Sequence, residues 1–326
     1  EISQYPLTGG RSELRESIAT YLARRFGVDV DPATQIMPTS GSKEAVFSSP
    51  LAFVDRNADQ SVVYGSPGYP IYERGALFAG ASIDPITLRD DFVLRAGDVS
   101  DDQWQRARML WICTPHNPTG AVTSGPELAE LMARARETDT LLMSDECYAD
   151  VYEEDIHGGG PDSVLQYAGP GAKGVLAFFS CSKRSGMTGY RSGAMVGDAD
   201  AIAALKRLRT ATGTASPDFV QMAAAAAWGD DSHAAERRAV FAKKRATLRP
   251  VFAALGMEVV ASTAGLYMWV KVGDDMAVTD QLLDAGIVVS PGRFFGAGGE
   301  GYLRLALVPT VAQCEQAVSA IEEALS

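Results

Sequence analysis

Short, wholly apolar runs recur along this chain, separated by helix-length amphipathic segments, and each run ends in a cluster of polar residues. Segments 36–39, 62–64, 109–113, 141–143, 175–179 and 193–196 read as strands. Segments 12–26, 42–54, 126–136 and one running through 77 read as helices; the first places Leu14, Ile18, Tyr21, Leu22 and Phe26 on one face. Strands this short and this apolar have no wet side, so they must be covered on both faces. The pattern predicts an α/β fold with a mostly parallel sheet flanked by helices. In such a sheet ligands bind beyond the carboxyl ends of the strands. What stands there is Gly41-Ser42-Lys43, Ser66-Pro67-Gly68-Tyr69, Pro115-His116-Asn117-Pro118, Asp145-Glu146-Cys147-Tyr148 and Ser180-Cys181-Ser182-Lys183. A purely structural scaffold has no need of polar groups at one strand end after another.

The texture changes after about residue 216. An alanine-rich helix at 220–228 and a charged helix at 232–255 precede strand-like runs at 257–260, 266–272, 287–289 and 303–308, then a last helix at 312–325. This α+β pattern predicts a smaller C-terminal domain, 236–326, after a large domain, 1–235, and 326 residues suffice for two domains. The net charge of −12 argues against nucleic acid or an anionic membrane as partner. The nearest thing to a basic cluster, Lys206 to Arg209, reads as the solvated face of a helix. No apolar stretch reaches the roughly 18 residues that span a bilayer, and the first residues lack the pattern of a signal peptide. Four cysteines at 113, 147, 181 and 314 have no paired spacing, which fits buried thiols in a reducing cytoplasm. Cys113 and His116 could be half of a zinc site, but a second half is missing and no metal is expected.

Lys183 follows an apolar run, where partial desolvation suits Schiff-base chemistry, although a lysine taken alone also reads as an ordinary surface residue. Its context is Ser182-Lys183-Arg184-Ser185-Gly186-Met187-Thr188-Gly189-Tyr190-Arg191-Ser192-Gly193. Ser144-Asp145-Glu146-Cys147-Tyr148, His116-Asn117-Pro118-Thr119-Gly120 and Gly301-Tyr302-Leu303-Arg304-Leu305 complete the set. In this order the segments resemble the fold-type I, class I/II aminotransferases that use pyridoxal 5′-phosphate (PLP), over essentially the whole chain. The resemblance implies a large PLP-binding domain, a small C-terminal domain and a homodimer with shared active sites. It implies Lys183 as the Schiff-base lysine and proton carrier, and Asp145 as the partner of the pyridine nitrogen. Tyr148 and Asn117 match the groups that hydrogen-bond the phenolic oxygen. Arg191, Ser180 and Ser182 match the phosphate cup, with Gly41, Ser42 and Lys43 at the opening of a helix that also suits a phosphate. Tyr69 falls where the family stacks an aromatic ring on the cofactor, and Tyr5 where a tyrosine reaches the neighbouring subunit's phosphate. Arg304, near Asn117, matches the arginine that grips the substrate α-carboxylate.

Within the family, 182–193, 227–237 and 5–15 look most like the N-succinyl-diaminopimelate aminotransferases of lysine and cell-wall synthesis. The small-molecule partners implied are an amino donor such as glutamate and a keto-acid acceptor. The substrate's distal carboxylate calls for a cation, with Arg11, Arg184 and Arg293 as candidates. Arg293 and Ala194 depart from the residues usual in relatives, and the family normally has a few dozen more residues before the segment matching Tyr5. Aminotransfer to another amino acid (aspartate, aromatic or a specialised metabolite) and a PLP-dependent C–S lyase are the alternatives on the same cofactor. Ser180-Cys181-Ser182-Lys183 also fits the Ser-x-x-Lys pattern of acylating serine enzymes, but the accompanying Lys-Thr-Gly element is missing. A non-catalytic ligand-sensing relative would ordinarily be fused to a DNA-binding module, and this sequence contains none.

Overall fold

The computed structural model describes residues 3–326. Among the described residues eleven strands form two sheets: β1 (Ile36–Thr39), β2 (Ser61–Ser66), β3 (Ser82–Thr87), β4 (Ala107–Cys113), β5 (Leu141–Asp145), β6 (Val175–Ser180), β7 (Gly193–Gly197), β8 (Glu258–Val260), β9 (Tyr267–Lys271), β10 (Ser290–Pro291) and β11 (Tyr302–Ala306). The larger sheet has the order β1-β7-β6-β5-β4-β2-β3. Its neighbours from β3 through β6 are parallel, and β7 runs antiparallel to both β6 and β1. The smaller sheet is antiparallel, with the order β10-β11-β9-β8.

Alternate residues of the central strands feed two separate cores, because successive side chains leave a strand on opposite faces. Leu110, Leu142, Ala177 and Phe179 join Leu14, Ile18, Leu22 and Phe26 of α1 (Ser12–Phe26) on one side. Met109, Trp111, Met143 and Phe178 join Ala45 and Val46 of α2 (Ser42–Phe53), and Tyr72 and Ala76 of α3 (Ile71–Ala79), on the other. Both faces are dry, so the strands show no polar alternation. α4 (Asp101–Arg106), α5 (Gly125–Glu137), α6 (Glu154–His157), α7 (Cys181–Arg184), α8 (Ala199–Thr212) and α9 (Asp218–Gly229) complete this part of the chain. A third core lies between the small sheet and α10 (Ser232–Ala254), α11 (Asp275–Asp284) and α12 (Val311–Leu325), with Phe252, Met268, Val270 and Leu303 at its centre.

Three sequence expectations are corrected. β3 is a strand that the reading passed over; it lies at the sheet edge, is mostly exposed, and carries Asp84 and Pro85, which weaken its strand signature. Residues 287–289 have strand composition but pair with nothing; the ladder begins only at Ser290. Lys206 and Arg207 are solvated, but Arg209 is buried and ion-paired with Glu44, tying α8 to α2. All four cysteines are free and buried.

The two sheets meet through the segment that leads into β9. Gly265 N–H donates to the Val151 carbonyl at 2.7 Å, and Tyr152 forms a bridge with Ala264. This fastens the start of β9 against the loop that follows β5.

Candidate active site

Ser42, Lys43, Tyr69, Asn117, Asp145, Tyr148, Ser180, Ser182, Lys183, Arg191 and Arg304 line one cavity of about 310 Å³. It lies at the carboxyl ends of β1, β2, β4, β5 and β6, as the sheet topology requires. Three other cavities are larger, at about 440, 460 and 630 Å³. The first is a groove where Lys173 is already paired with Asp198 and Asp200, the second is mostly apolar, and in the third Arg134 is already paired with Asp101 and Glu137. Chemistry rather than size singles out the cavity with Lys183.

Asp145 ends β5 and is 5% exposed. Its carboxylate accepts from the Tyr72 hydroxyl at 3.0 Å and from the Cys147 backbone N–H at 3.2 Å. Burial pushes the Asp145 carboxyl above its ordinary range, while these donors and the nearby Lys183 charge pull the other way. Tyr72 is itself fixed, stacked on Trp111 with ring centroids 4.9 Å apart and edge-on to Tyr69 at 5.6 Å. The result is a buried carboxyl group that lines the cavity, placed to pair with a protonated ring nitrogen.

Lys183 lies on α7, a single turn capped by Ser180, whose Oγ accepts from Ser182 N–H at 3.2 Å. The Lys183 Nζ is 5.9 Å from the centroid of the Tyr148 ring. Gly41, with φ at +83°, precedes α2 and leaves its first N–H groups open. The Arg191 guanidinium lies where a Cβ on Gly41 would stand, and Arg191 Nη1 is anchored on the Thr188 carbonyl at 3.0 Å. A helix start, an arginine and two serines form a cradle for a phosphate.

Arg304 sits between the rings of Tyr267 and Phe295, its Cζ 4.4 Å from each centroid. Its Nη1 donates to Asn117 Oδ1 at 3.1 Å and its Nη2 to Ser290 Oγ at 3.4 Å, while its buried Nε has no partner. The guanidinium plane is held with donor capacity to spare, and no carboxylate neutralises it among the described residues. Tyr267 and Tyr148 bring their hydroxyl oxygens to 3.0 Å.

The sequence reading missed Tyr72 and Tyr267. Tyr72 had a signal, because it stands only three residues after Tyr69, at the start of the helix that follows the same strand end. Tyr267 had none; it begins a strand that is distant in sequence from every other member of the site. Tyr5 lies outside the cavity and is 99% exposed. The three cations considered for a distal carboxylate are already engaged. Arg11 pairs with Glu13 and Asp218, and Arg293 holds the buried Asp275, whose carboxyl it lowers to about 2. Arg184 is 3% exposed, 2.9 Å from Asp150, paired with Asp231 and packed between Tyr21 and Trp228. Of the suspected zinc pair, His116 bonds Thr119 at 2.8 Å and Cys113 the Pro115 carbonyl at 3.3 Å.

The model of the aminotransferase class I and II family matches residues 1–321, so this chain belongs to that family, whose members are PLP-dependent enzymes. It is 34% identical to the LL-diaminopimelate aminotransferase of Aquifex aeolicus, covering 95% of this chain and 81% of that protein. It is 37% identical to the 4-dedimethylamino-4-oxo-anhydrotetracycline transaminase OxyQ of Streptomyces rimosus, covering 94% and 82%. Among solved structures, an aminotransferase from Neisseria meningitidis superposes with a TM-score of 0.92 at 34% identity, covering 100% of this chain and 86% of that one. A probable N-succinyldiaminopimelate aminotransferase from Thermus thermophilus superposes with a TM-score of 0.89 at 26% identity, covering 96% and 84%. The residues present suit PLP: a buried carboxylate for the ring nitrogen, a cradle for the phosphate and a lysine between them.

Proposed function

We propose that this chain moves an amino group between glutamate/2-oxoglutarate and an amino-acid/keto-acid pair, with N-succinyl-LL-2,6-diaminopimelate as the amino acid. The observation that carries the reading is the convergence of Lys183, Asp145, Tyr148, Asn117, Arg191 and Arg304 on one cavity. Bound PLP supplies an electron sink that stabilises negative charge at the substrate Cα. In our reading Lys183 Nζ is the attachment point and carries the proton that leaves Cα. Asp145 keeps the ring nitrogen protonated. Tyr148 and Asn117 hydrogen-bond the phenolic oxygen, and the Tyr69 ring stacks on the pyridine. Arg191, Ser180, Ser182, Lys43 and the Gly41–Ser42 helix start hold the phosphate. Arg304 grips the α-carboxylate through paired, parallel hydrogen bonds, a geometry arginine offers and lysine does not. Tyr5 is contributed by the partner of a homodimer that works in the cytoplasm, and the chain divides into domains at 1–235 and 236–326.

The substrate choice draws on the diaminopimelate aminotransferases among the relatives. A second reading, amino transfer to a specialised metabolite without a distal carboxylate, is favoured by one observation: Arg11, Arg184 and Arg293 are all ion-paired. The 37% identity to a tetracycline-pathway transaminase is in keeping with it. The test is the visible spectrum of the PLP-loaded protein before and after L-glutamate, followed by keto acids added to the aminated enzyme. Bleaching by glutamate and recovery with N-succinyl-2-amino-6-oxopimelate support the first reading. Bleaching with recovery only by other keto acids supports the second, and a band that glutamate never bleaches removes glutamate as the donor.

A further inference from the structure

Tyr267 stands between the two ends of the cavity and touches both. Its hydroxyl lies 3.0 Å from that of Tyr148, and the two rings meet edge-on at 5.7 Å. Its face lies against Arg304, whose Cζ is 4.4 Å from the ring centroid. Both tyrosines are buried, at 8% and 5% exposure. The Tyr267 hydroxyl has no other side-chain partner among the described residues. A phenol has one proton to give. If Tyr148 gives its proton into the cavity, Tyr267 must give its own to Tyr148, and a hydroxyl that accepts a hydrogen bond donates more strongly. The guanidinium over the ring of Tyr267 draws electron density from it and strengthens the same direction of donation. Arg304 and Tyr267 are diagonal neighbours on paired strands, with Tyr267 opposite Ala306 and Arg304 opposite Trp269. The arrangement depends on the docked turn before β9, where Arg245 donates to the Gly265 carbonyl.

We infer that Tyr267 is a positioning residue that joins the carboxylate-gripping end of the site to its cofactor end: its hydroxyl orients Tyr148 and its ring shelves Arg304. The inference rests on the proposed roles of Tyr148 and Arg304. It makes the two halves of Tyr267 separable. Tyr267→Phe keeps the shelf and loses the donor, whereas Tyr267→Leu loses both.

The experiment is a pH titration of the visible band of the PLP-loaded protein without substrate, paired with steady-state kinetics. The titratable groups facing the tyrosine pair are Lys183, Asp145, Cys113 and Tyr69, with Arg304 as the fixed charge. Tyr267→Phe is expected to move the titration midpoint by about half a unit to one unit, with KM for the amino acid within about twofold of wild type. Tyr267→Leu is expected to shift the midpoint similarly and also raise KM by about tenfold. In a Tyr148→Phe background, Tyr267→Phe is expected to add no further shift, which identifies Tyr148 as the group through which it acts. An unchanged midpoint in Tyr267→Phe, or an equal shift in the Tyr148→Phe background, overturns the inference. Should wild type itself show no Lys183-dependent band, with Lys183→Ala spectrally identical to it, the reading of the site falls instead.

Discussion

At Asp145 burial and hydrogen bonding act against each other. Burial pushes this carboxyl up, and two donors, one of them Tyr72, pull it back down. Tyr72→Phe removes one donor without opening a cavity, so the carboxyl is expected to move further up and lose hold of a protonated ring nitrogen. A hydrogen bond to a charged group is worth about 1.5–3 kcal/mol, so kcat should fall by about tenfold or more while KM stays close to wild type. Steady-state kinetics check this; a KM effect with kcat intact would show Tyr72 to be only a packing residue. Gly41 makes a second demand at this scale. Its φ of +83° and the Arg191 guanidinium beside it both exclude a side chain. Gly41→Ala is expected to cost about 1–3 kcal/mol of backbone strain and to displace Arg191. Fluorescence titration of the apoprotein with PLP should then show a weaker dissociation constant, while free pyridoxal, which lacks the phosphate, should bind as to wild type.

At the scale of elements, β5 does two jobs with adjacent residues. Asp145 serves the cavity, and Glu146 ties β5 to the following segment, accepting from Ser144 Oγ at 2.8 Å and Val164 N–H at 2.9 Å. Glu146 is buried and its second carboxylate oxygen has no partner, so burial pushes its pKa to about 7. The folded value lies above the unfolded one near 4.5. The protonated form is therefore favoured by folding; its stabilisation is complete below about pH 4.5 and is lost as pH rises through 7. Glu146→Gln retains the acceptor oxygen and removes the titration. Its Tm should vary less than wild type between pH 5 and 8 and be the higher of the two at pH 8, by at most roughly 3 kcal/mol in stability. Parallel wild-type and variant curves in thermal melts would show that Glu146 does not titrate in this range. The same scale explains two differences from the sequence reading. The run 287–289 has the residues of a strand but no neighbour to pair with, and β3 has a neighbour that its Asp84 and Pro85 did not advertise. Strand propensity describes a surface that fits a sheet; only a partner makes it one.

For the whole molecule, the proposed dimer makes the sharpest demand. Tyr5 is exposed and does not line the chain's own cavity, and Phe219 and Met222 of α9 are also exposed. If Tyr5 completes the partner's site, two defective chains should repair each other. Tyr5→Phe and Lys183→Ala homodimers are each expected to be impaired. Mixed after mild denaturation, they should regain activity, because one site in each hybrid then combines an intact Lys183 with an intact Tyr5. No recovery in assays of the refolded mixture would place Tyr5 outside the partner's site. Six of the seven strands of the large sheet and the helices between them were legible in the chain, since apolar strands and amphipathic helices are set by local patterning; the edge strand β3 and the strand order were not. The sequence also marked Lys183, Asp145, Tyr148 and Asn117 by their place after apolar strands, and Arg191 and Arg304 by the family resemblance; all six line the one cavity. The rest depended on which side chains the fold brings together. Arg11, Arg184 and Arg293 look alike in sequence, yet each meets a carboxylate from elsewhere in the fold and is spent there. Arg304 meets two aromatic rings and an asparagine instead, and stays free to bind. A charge is available or engaged according to its neighbours in space, and residues 119 or 187 positions apart, such as Tyr148 with Tyr267 or Asn117 with Arg304, become neighbours only when the sheets dock.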